Sequence, residues 1–275
     1  MHTLARYGLV RRLGAGAAGG VYLVEDRVLG GPLLALKRVE GAADPAMRDS
    51  LAREFAVLAS LSLTGVGRVH DLGLASATDE LPQGPFFTRD YVEGAPLDVW
   101  ARGKSLEQLL PVFQRVLMVA GQLHRRAVLH GDLHPGNIIV DAQAAPHLID
   151  FGLASHGTRV LRASGTPLFM APELLAGASA SMSADIYALG ASFWNAVTGS
   201  APLAELGDRL LGAKLRGQLP SLDAYTGRQH AVLEALLWAL AAEPRMRAPS
   251  VDELAARLER AGGLAAQRTA TRRDG

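Results

Sequence analysis

The most informative part of this sequence is the eight-residue stretch His130-Gly131-Asp132-Leu133-His134-Pro135-Gly136-Asn137, with Asp150-Phe151-Gly152 following closely. The Asp132 carboxylate can accept a hydroxyl proton, and the Asn137 amide oxygen and the Asp150 carboxylate can hold magnesium against the phosphates of a nucleotide. The apolar runs 138–140 and 147–149, separated by the turn-like segment 141–146, predict a hairpin that brings Asn137 back toward Asp150. The pattern indicates phosphoryl-transfer chemistry.

Composition narrows the class of protein further. The chain has 275 residues, 49% of them hydrophobic and 20% charged, so we expect a full core in one large domain or two lobes. The formal net charge of +1 gives no electrostatic reason to expect nucleic acid or membrane binding. The absence of cysteine excludes disulfides and thiolate metal sites. The start lacks a signal peptide's apolar core, and the most apolar late stretch, 231–242, is shorter than the roughly 20 residues of a membrane span, so we expect a cytoplasmic protein.

A glycine-rich turn lies near the start, between two segments that are typical of strands: Leu13-Gly14-Ala15-Gly16-Ala17-Ala18-Gly19-Gly20-Val21-Tyr22. Glycines allow backbone N–H groups to approach a phosphate closely. Taken alone, the turn favours an ordinary glycine-rich hairpin. In a dinucleotide-binding fold a helix must follow the glycine loop. Here a strand follows it, which argues against that fold.

A lysine inside an apolar strand is the next unusual feature. The predicted strand 33–39 contains Lys37, whose ammonium would be costly to bury without a partner. The predicted helix 47–63 carries Glu54, which can reach inward and pair with it. Taken alone, these two residues favour a lysine and a glutamate on the surface. Other features must therefore support a Lys37–Glu54 ion pair. A further strand from Phe86 runs into the turn Gly94-Ala95-Pro96, and we predict a lobe boundary at residues 92–96.

The rest of the chain is predicted to be mainly helical. A helix begins at Ser105, which with Gln108 resembles a capping box. Apolar runs predict three more helices, at 185–198 with Ser183 as a plausible cap, at 231–242 and at 251–261. A small strand-rich part therefore precedes a larger helical part.

In this order the motifs resemble the eukaryotic-type (Hanks-type) serine/threonine protein kinase family. The resemblance spans residues 6–262 and includes the segment Gly165-Thr166-Pro167-Leu168-Phe169-Met170-Ala171-Pro172-Glu173, with a polar tail at 263–275. It implies a bilobal α+β fold: a small antiparallel β-sheet N-lobe with one main helix, about 6–92, and a larger, mainly helical C-lobe, about 96–262. The alanine- and glycine-rich, cysteine-free composition suggests a bacterial source.

The resemblance also implies a function, the Mg²⁺-dependent transfer of the γ-phosphoryl group of ATP to a serine or threonine of a protein substrate. The implied catalytic residues are Lys37, Asp132, Asn137 and Asp150, of which Asn137 and Asp150 would hold the metal. ATP would be contacted by Leu13, Gly14, Gly16, Gly19, Val21, Ala35, Lys37, Glu54, Asp90, Val92 and Ile139. Asp185 would brace the catalytic loop, residues 130–137, and Arg247 would pair with Glu173. Phe151 would pack beneath Leu58 with His130.

The catalytic loop departs from the family pattern at two positions. Gly131 replaces an arginine that commonly binds a phosphorylated activation loop, so we expect activity to survive replacement of Ser155, Thr158 and Ser164 by alanine. His134 replaces a lysine that neutralises the transferring phosphate, so we expect slower transfer. Both substitutions also resemble aminoglycoside and other small-molecule phosphotransferases, which makes a small-molecule kinase the main alternative.

Two further departures concern the nucleotide pocket. Arg89 falls at the family's gatekeeper position, where its guanidinium would need Glu54 or Asp150 as a partner, unless a shifted strand register points it elsewhere. Ala18 replaces the usual aromatic residue at the tip of the glycine loop. A pseudokinase acting as a binding module is the third interpretation, although Lys37 and the other catalytic residues are retained. The sequence leaves the protein substrate and the oligomeric state open.

Overall fold

The structure, a computed structural model, describes residues 6–16, 19–39, 45–75, 84–151 and 167–263. These residues group into two compact units, one extending to Glu93 and the other beginning at Gly94. We call them the N-terminal and C-terminal units. The kinase-domain limits 6–262 and the tail 263–275 stay predictions. Residues Ala18, Gly152, Ser155, Thr158, Ser164, Gly165 and Thr166 lie outside the described ranges.

The N-terminal unit is a five-stranded antiparallel sheet with one helix. The strands are β1 (Tyr7–Gly16), β2 (Gly19–Asp26), β3 (Leu33–Val39), β4 (Val69–Ala75) and β5 (Gly84–Asp90), and they lie in the order β1-β2-β3-β5-β4. The predicted glycine-rich turn is thus the β1–β2 hairpin, and Lys37 lies on β3 as predicted. The α+β fold class with an antiparallel sheet is confirmed.

The two faces of this sheet carry different side chains. One face forms an apolar cluster of Tyr7, Tyr22, Val24, Leu34, Leu36 and Phe86. Residues on β2, β3 and β5 that are paired across strands share a face, because side chains alternate along a strand. Register therefore places Val21, Lys37 and Phe87 together on the other face, where Phe87 contacts Phe55 of the helix.

The helix α1 (Pro45–Ala59) begins two residues earlier and ends four residues earlier than predicted. Leu61 stays buried although it lies past the end of the helix. The chain must turn before it enters β4, and Gly65 adopts a positive φ of 87° within that turn. The apolar periodicity that extended the prediction to residue 63 therefore reports burial rather than helix.

The C-terminal unit is mainly helical. Its helices are α2 (Leu97–Trp100), α3 (Leu106–His124), α4 (Pro172–Leu175), α5 (Met182–Thr198), α6 (Leu210–Leu215), α7 (Gly227–Ala239) and α8 (Val251–Ala261). Phe113 of α3 stacks on Phe193 of α5 with ring centroids 4.2 Å apart. At Gly190 of α5 a Cβ atom would come within 2.6 Å of the Cβ of Ala239, so glycine allows α5 and α7 to pack closely.

The caps agree with the sequence at α3 and differ at α5. The Ser105–Gln108 capping box is present, and the backbone N–H of Ser105 donates to Gln108 Oε1 at 3.0 Å. The cap of α5 is Ser181, whose Oγ accepts from the N–H of Ala184, so the prediction of Ser183 was wrong. Ser183 instead donates its hydroxyl to the carbonyl of Pro244, a tertiary contact that local sequence does not reveal.

The C-terminal unit also contains a short three-stranded sheet. It consists of β6 (Ala95–Pro96), β7 (Ile138–Val140) and β8 (Pro146–Leu148), in that order. β7 and β8 form the predicted hairpin, with Ile139 opposite His147. Within the described ranges, no helix is long and apolar enough to span a membrane.

Candidate active site

The catalytic loop, residues 130–137, is held in place by a buried carboxylate. Asp185 of α5 accepts hydrogen bonds from the backbone N–H of His130 and of Gly131, both at 3.0 Å. The His124 ring donates Nε2–H to the same carboxylate at 3.0 Å. Gly131 adopts a positive φ of 78°, which a glycine accommodates without a Cβ penalty. The bracing of the loop by Asp185 thus has a direct geometric basis.

His130 packs in the interior and connects the loop to the segment around Asp150. Its ring centroid lies 4.5 Å from that of Phe151, and its Nε2 donates to the carbonyl of Ile149 at 3.1 Å. Burial lowers the pKa of His130, against the opposing effect of the carboxylates of Asp185 and Asp132. The ring therefore stays neutral.

Asp132 is partly buried in this loop. Burial raises the pKa of its carboxyl, and the negative charge of Asp150 raises it further, whereas His134, His130 and the Asn137 amide act in the opposite direction. A raised pKa makes the carboxylate a stronger proton acceptor. The environment of Asp132 is therefore the one that a general base requires.

The Asn137 amide is oriented by Asp132. Its Nδ2 donates to the Asp132 backbone carbonyl at 2.8 Å and lies 3.4 Å from Asp132 Oδ2. The amide nitrogen of Asn137 thus faces Asp132. The Asn137 Oδ1 atom therefore points away from Asp132. The backbone carbonyl of Asn137 also accepts from Ile149 N–H at 3.0 Å, so the hairpin does bring Asn137 next to the segment that carries Asp150.

Asp150 has a backbone conformation that is uncommon for a residue other than glycine. Its φ is +60°, in the left-handed region. Such strain persists only where the surroundings impose it, and it is concentrated at functional sites. Here the neighbouring Phe151 is fully buried and Ile149 is hydrogen-bonded to Asn137, so both sides of Asp150 are anchored.

His134 lies beside Asp132 in a defined orientation. Its Nδ1 accepts the N–H of Gly136 at 3.1 Å, and its Nε2 lies 4.0 Å from Asp132 Oδ2. In the neutral ring the proton must therefore reside on Nε2, on the side of the carboxylate. The ring also stacks against Phe169 at 6.4 Å between centroids.

In the N-terminal unit, Lys37 and Glu54 form the charge pair. Lys37 Nζ lies 2.9 Å from Glu54 Oε1 and 2.8 Å from Oε2. The Glu54 side chain is 3% exposed and that of Lys37 is 21% exposed. The alternative of two independent surface residues is therefore wrong.

Arg89 lies directly opposite Ala35 in the β3–β5 pairing, which shows no shift of register between Leu34 and Arg38. It is thus on the same sheet face as Ala35 and Lys37, and it is buried. The alternative of a shifted register is wrong. The gatekeeper role of Arg89 stays a prediction.

The predicted ATP contacts from the glycine hairpin are arranged around β1 and β2. Leu13, Gly14 and Gly16 lie on β1, with Gly14 opposite Val21 and Gly16 opposite Gly19. A Cβ at Gly19 would meet the Arg38 carbonyl at 2.0 Å, so close approach of β3 requires this glycine. A Cβ at Gly14 would meet nothing within 4 Å, so neighbouring atoms do not explain that glycine.

The remaining predicted ATP contacts lie in both units. Asp90 ends β5, where its carboxylate accepts from His70 Nε2 at 2.7 Å and from the N–H of Arg68 at 3.1 Å. Val92 follows it in an irregular segment. Ile139, in the C-terminal unit, lies on β7 opposite Pro96 and is half-buried.

Comparison with known proteins decides the family. Residues 7–231 match the model of the protein kinase domain. The chain belongs to the protein kinase family. Lys37, Asp132, Asn137 and Asp150 all lie within the matched range of this kinase domain.

Bacterial serine/threonine-protein kinases are among its relatives. The chain is 33% identical to the DNA damage-responsive serine/threonine-protein kinase RqkA of Deinococcus radiodurans, over 91% of this chain and 38% of that protein. It is 30% identical to the serine/threonine-protein kinase Pkn1 of Myxococcus xanthus, over 94% of this chain and 40% of that protein. It is 29% identical to the serine/threonine-protein kinase PknD of Chlamydia muridarum, over 91% and 31%. The chain thus spans less than half of the length of each.

An ion pair in the kinase domain joins α4 to the segment before α8. Arg247 Nη1 donates to Glu173 Oε1 at 2.7 Å and Arg247 Nη2 to Oε2 at 2.6 Å. Three backbone carbonyls accept its other N–H groups, those of Ala241, Ser183 and Ala242. The predicted pair is present, and it is architectural.

Two polar residues of the site could not be assigned from the sequence. His124 is buried and binds Asp185, a contact that no local sequence pattern indicates. Lys214 is buried on α6, and it binds backbone carbonyls of the segment 167–170. Their partners lie 61 and about 45 residues away in sequence, beyond the reach of any local pattern.

Proposed function

We propose that this chain is a catalytic domain that transfers the γ-phosphoryl group of ATP to a serine or threonine hydroxyl of a protein. The observation that carries this proposal is the constellation of Asp132, Asn137 and Asp150 within the C-terminal unit. It combines a carboxylate of raised pKa, an amide oriented by that residue, and a second carboxylate that acts electrostatically on the first.

The reaction assigns one proton transfer to the protein. As the substrate hydroxyl oxygen forms its bond to the γ-phosphorus and the bond to the ADP oxygen breaks, Asp132 accepts the hydroxyl proton. The raised pKa of Asp132 favours this acceptance. The remaining contribution is positioning and neutralisation of charge.

The donor set fits Mg²⁺. An amide oxygen on Asn137 and a carboxylate on Asp150 are hard oxygen ligands, which this metal prefers together with water and phosphate oxygens. Burial raises the pKa of Asp132, and the negative charge of Asp150 adds to the effect; a bound cation would relieve the repulsion between the two carboxylates. Mg²⁺ supplies neutralisation of phosphate charge when it is bound. Among the described residues, no group of three or more His, Asp or Glu side chains could hold a metal ion.

The N-terminal unit supports ATP as the phosphoryl donor. Glu54 holds the Lys37 ammonium in one position, from which it would contact a phosphate. Lys37 shares its sheet face with Val21 and Ala35, two small apolar residues suited to an adenine ring. The backbone of Asp90 and Val92 would bind the adenine edge, and Ile139 would support the ring.

A protein substrate is favoured over a small molecule by the relatives, whose names specify serine/threonine-protein kinases. A small-molecule kinase is the second candidate, because Gly131 and His134 replace the arginine and lysine expected in the catalytic loop of a protein kinase. The two candidates predict different labelled products.

The test is a transfer assay with radiolabelled ATP, a generic protein substrate and a panel of aminoglycosides, comparing the wild type with Asp132→Ala. Label on protein that disappears in the variant would support the proposal. Label on an aminoglycoside alone would support the second candidate. Binding of ATP without any Asp132-dependent transfer would indicate a pseudokinase and overturn the proposal.

A further inference from the structure

Lys214 is a buried ammonium among backbone carbonyls. Its Nζ lies 2.9 Å from the carbonyl oxygen of Pro167, 2.7 Å from that of Leu168 and 3.0 Å from that of Met170. An ammonium has three N–H donors, so these carbonyls can take all of them. Lys214 is only 1% exposed, and it is one of three lysines in the whole sequence.

Within the described ranges, Lys214 forms no ion pair with a carboxylate. Its Nζ lies 5.1 Å from the centroid of the Tyr187 ring. Arg247 lies over the same ring at 4.9 Å. Burial lowers the pKa of Lys214 to about 7. A group that is this costly to bury needs a compensating interaction, and here it is the three carbonyls that provide it.

The helix α6 presents Lys214 together with an apolar surface. Leu210, Ala213 and Lys214 are buried at the i, i+3 and i+4 positions that share one helix face. The same face forms an apolar cluster in which Leu168 packs against Leu203, Leu210 and Ala213. α6 therefore holds the segment 167–170 twice, through the Leu168 side chain and through three of its carbonyls.

The opposite side of this segment meets the catalytic loop. Phe169 stacks against His134, and Phe169 and Met170 line a pocket together with Asp132. The segment is thus a wall of the pocket that contains the proposed base. Its backbone position decides the shape of that pocket.

We propose that Lys214 is a positioning residue for the protein substrate, which fixes the wall 167–170 beside Asp132 from behind. The proposal rests on the proposed kinase function. Lys214 touches no reacting atom and acts only through the backbone of the wall. Its removal should therefore impair recognition of the protein substrate more than recognition of ATP.

The test compares Lys214→Met with a control variant, Lys104→Met. Lys104 is exposed and lies in the same unit as Lys214. Leaving buried carbonyls without donors should raise the KM for the protein substrate about tenfold in Lys214→Met. The KM for ATP should stay within about twofold of the wild type. Lys104→Met should change neither. Lys214→Gln, which keeps two donors, should fall between wild type and Lys214→Met, and it serves as the variant if Lys214→Met does not fold.

A purely structural role would give a different result. It would lower the melting temperature and the amount of active enzyme and leave both KM values unchanged, which would overturn the proposal. Equal increases in both KM values would overturn it as well.

A second readout does not depend on catalysis. Hydrogen exchange of the amides of Leu168–Met170 should accelerate in the Lys214 variants relative to those of α8, and unchanged exchange would overturn the proposal. If the wild type transfers no phosphate to any protein, the proposed function fails. Hydrogen exchange then still decides whether Lys214 holds the wall.

Discussion

Lys37 and Glu54 are joined by two hydrogen bonds, 2.9 and 2.8 Å long, that connect the middle of β3 to the middle of α1. Glu54 is almost completely buried, whereas Lys37 is partly exposed. The buried partner thus orients the exposed one, which is the arrangement expected where the lysine serves a ligand. The apolar contact of Phe55 with Phe87 holds the helix against the same sheet face.

Replacing Glu54 should therefore affect nucleotide use. In Glu54→Gln the Lys37 ammonium loses its charged partner, and misplacement of a positioning group costs about a hundredfold in kcat/KM for ATP. Steady-state kinetics with ATP as the varied substrate measures the effect. Glu25→Gln, at an exposed position of the same unit, should leave kcat/KM unchanged. A Glu54→Gln enzyme with wild-type kinetics would contradict the role of the pair.

Asp132→Asn should remove activity and increase stability. Loss of the proposed general base should lower kcat by about 10²–10⁴-fold. The folded state raises the pKa of Asp132 above its ordinary 3.8, so wild-type stability falls as the pH rises from 3.8 through the folded value. An asparagine side chain is uncharged and carries no cost of burying a charge. The melting temperature of Asp132→Asn should therefore exceed that of the wild type by about 2 °C at pH 7. The difference should shrink toward pH 4, where the wild-type carboxyl is protonated.

Asp141 provides a control of opposite sign for the pH dependence. Burial acts to raise its pKa, but hydrogen bonds from the Ala145 N–H, from His147 and from the Gln143 N–H outweigh burial and lower it. Its contribution to stability is therefore present above pH 3.8 and is lost on acidification. Asp141→Asn should destabilise the protein at pH 7. Melting curves in which both variants shift in the same direction would refute the assignment for Asp132.

Replacing His134 by lysine should accelerate transfer. The ring lies 4.0 Å from Asp132 through Nε2, so the position is within reach of the reacting groups. A permanent positive charge there would stabilise the transferring phosphoryl group, and we expect kcat to rise about tenfold. Single-turnover rates provide the measurement. In an Asp132→Ala background, His134→Lys should leave the transfer rate unchanged. Unchanged or slower transfer by His134→Lys would show that charge at this position is not limiting.

The pair of Arg247 with Glu173 should matter for stability rather than chemistry. The Arg247 side chain is fully buried and makes two bonds to the carboxylate besides its bonds to three carbonyls. Lysine has too few donors to replace this network, so Arg247→Lys should lower the free energy of unfolding by about 3 kcal/mol. Denaturant unfolding measures the loss. Arg245→Lys, exposed two residues earlier, should fall within about 0.5 kcal/mol of the wild type.

Local patterns in the sequence predicted much of the fold. The β7–β8 hairpin, the strand 33–39 and the helix 251–261 agree with the structure because turn residues, alternation and helical periodicity act over a few neighbouring residues. The predicted end of α1 was wrong because Leu61 is buried without being helical. The cap of α5 was wrong because two serines lie near its start, and only the tertiary contact of Ser183 with Pro244 distinguishes them.

The order of short motifs by itself determined the family, the fold class and the identity of the candidate catalytic groups, because each motif is a local arrangement of backbone and side chains. Tertiary structure alone decided which polar groups meet: Lys37 with Glu54, Asp185 with the catalytic loop, and Lys214 with the carbonyls of residues 167–170. The physical reason is burial. A charged group has the same free energy in water wherever it stands in the sequence, and only packing against distant residues removes that water and makes a particular partner necessary.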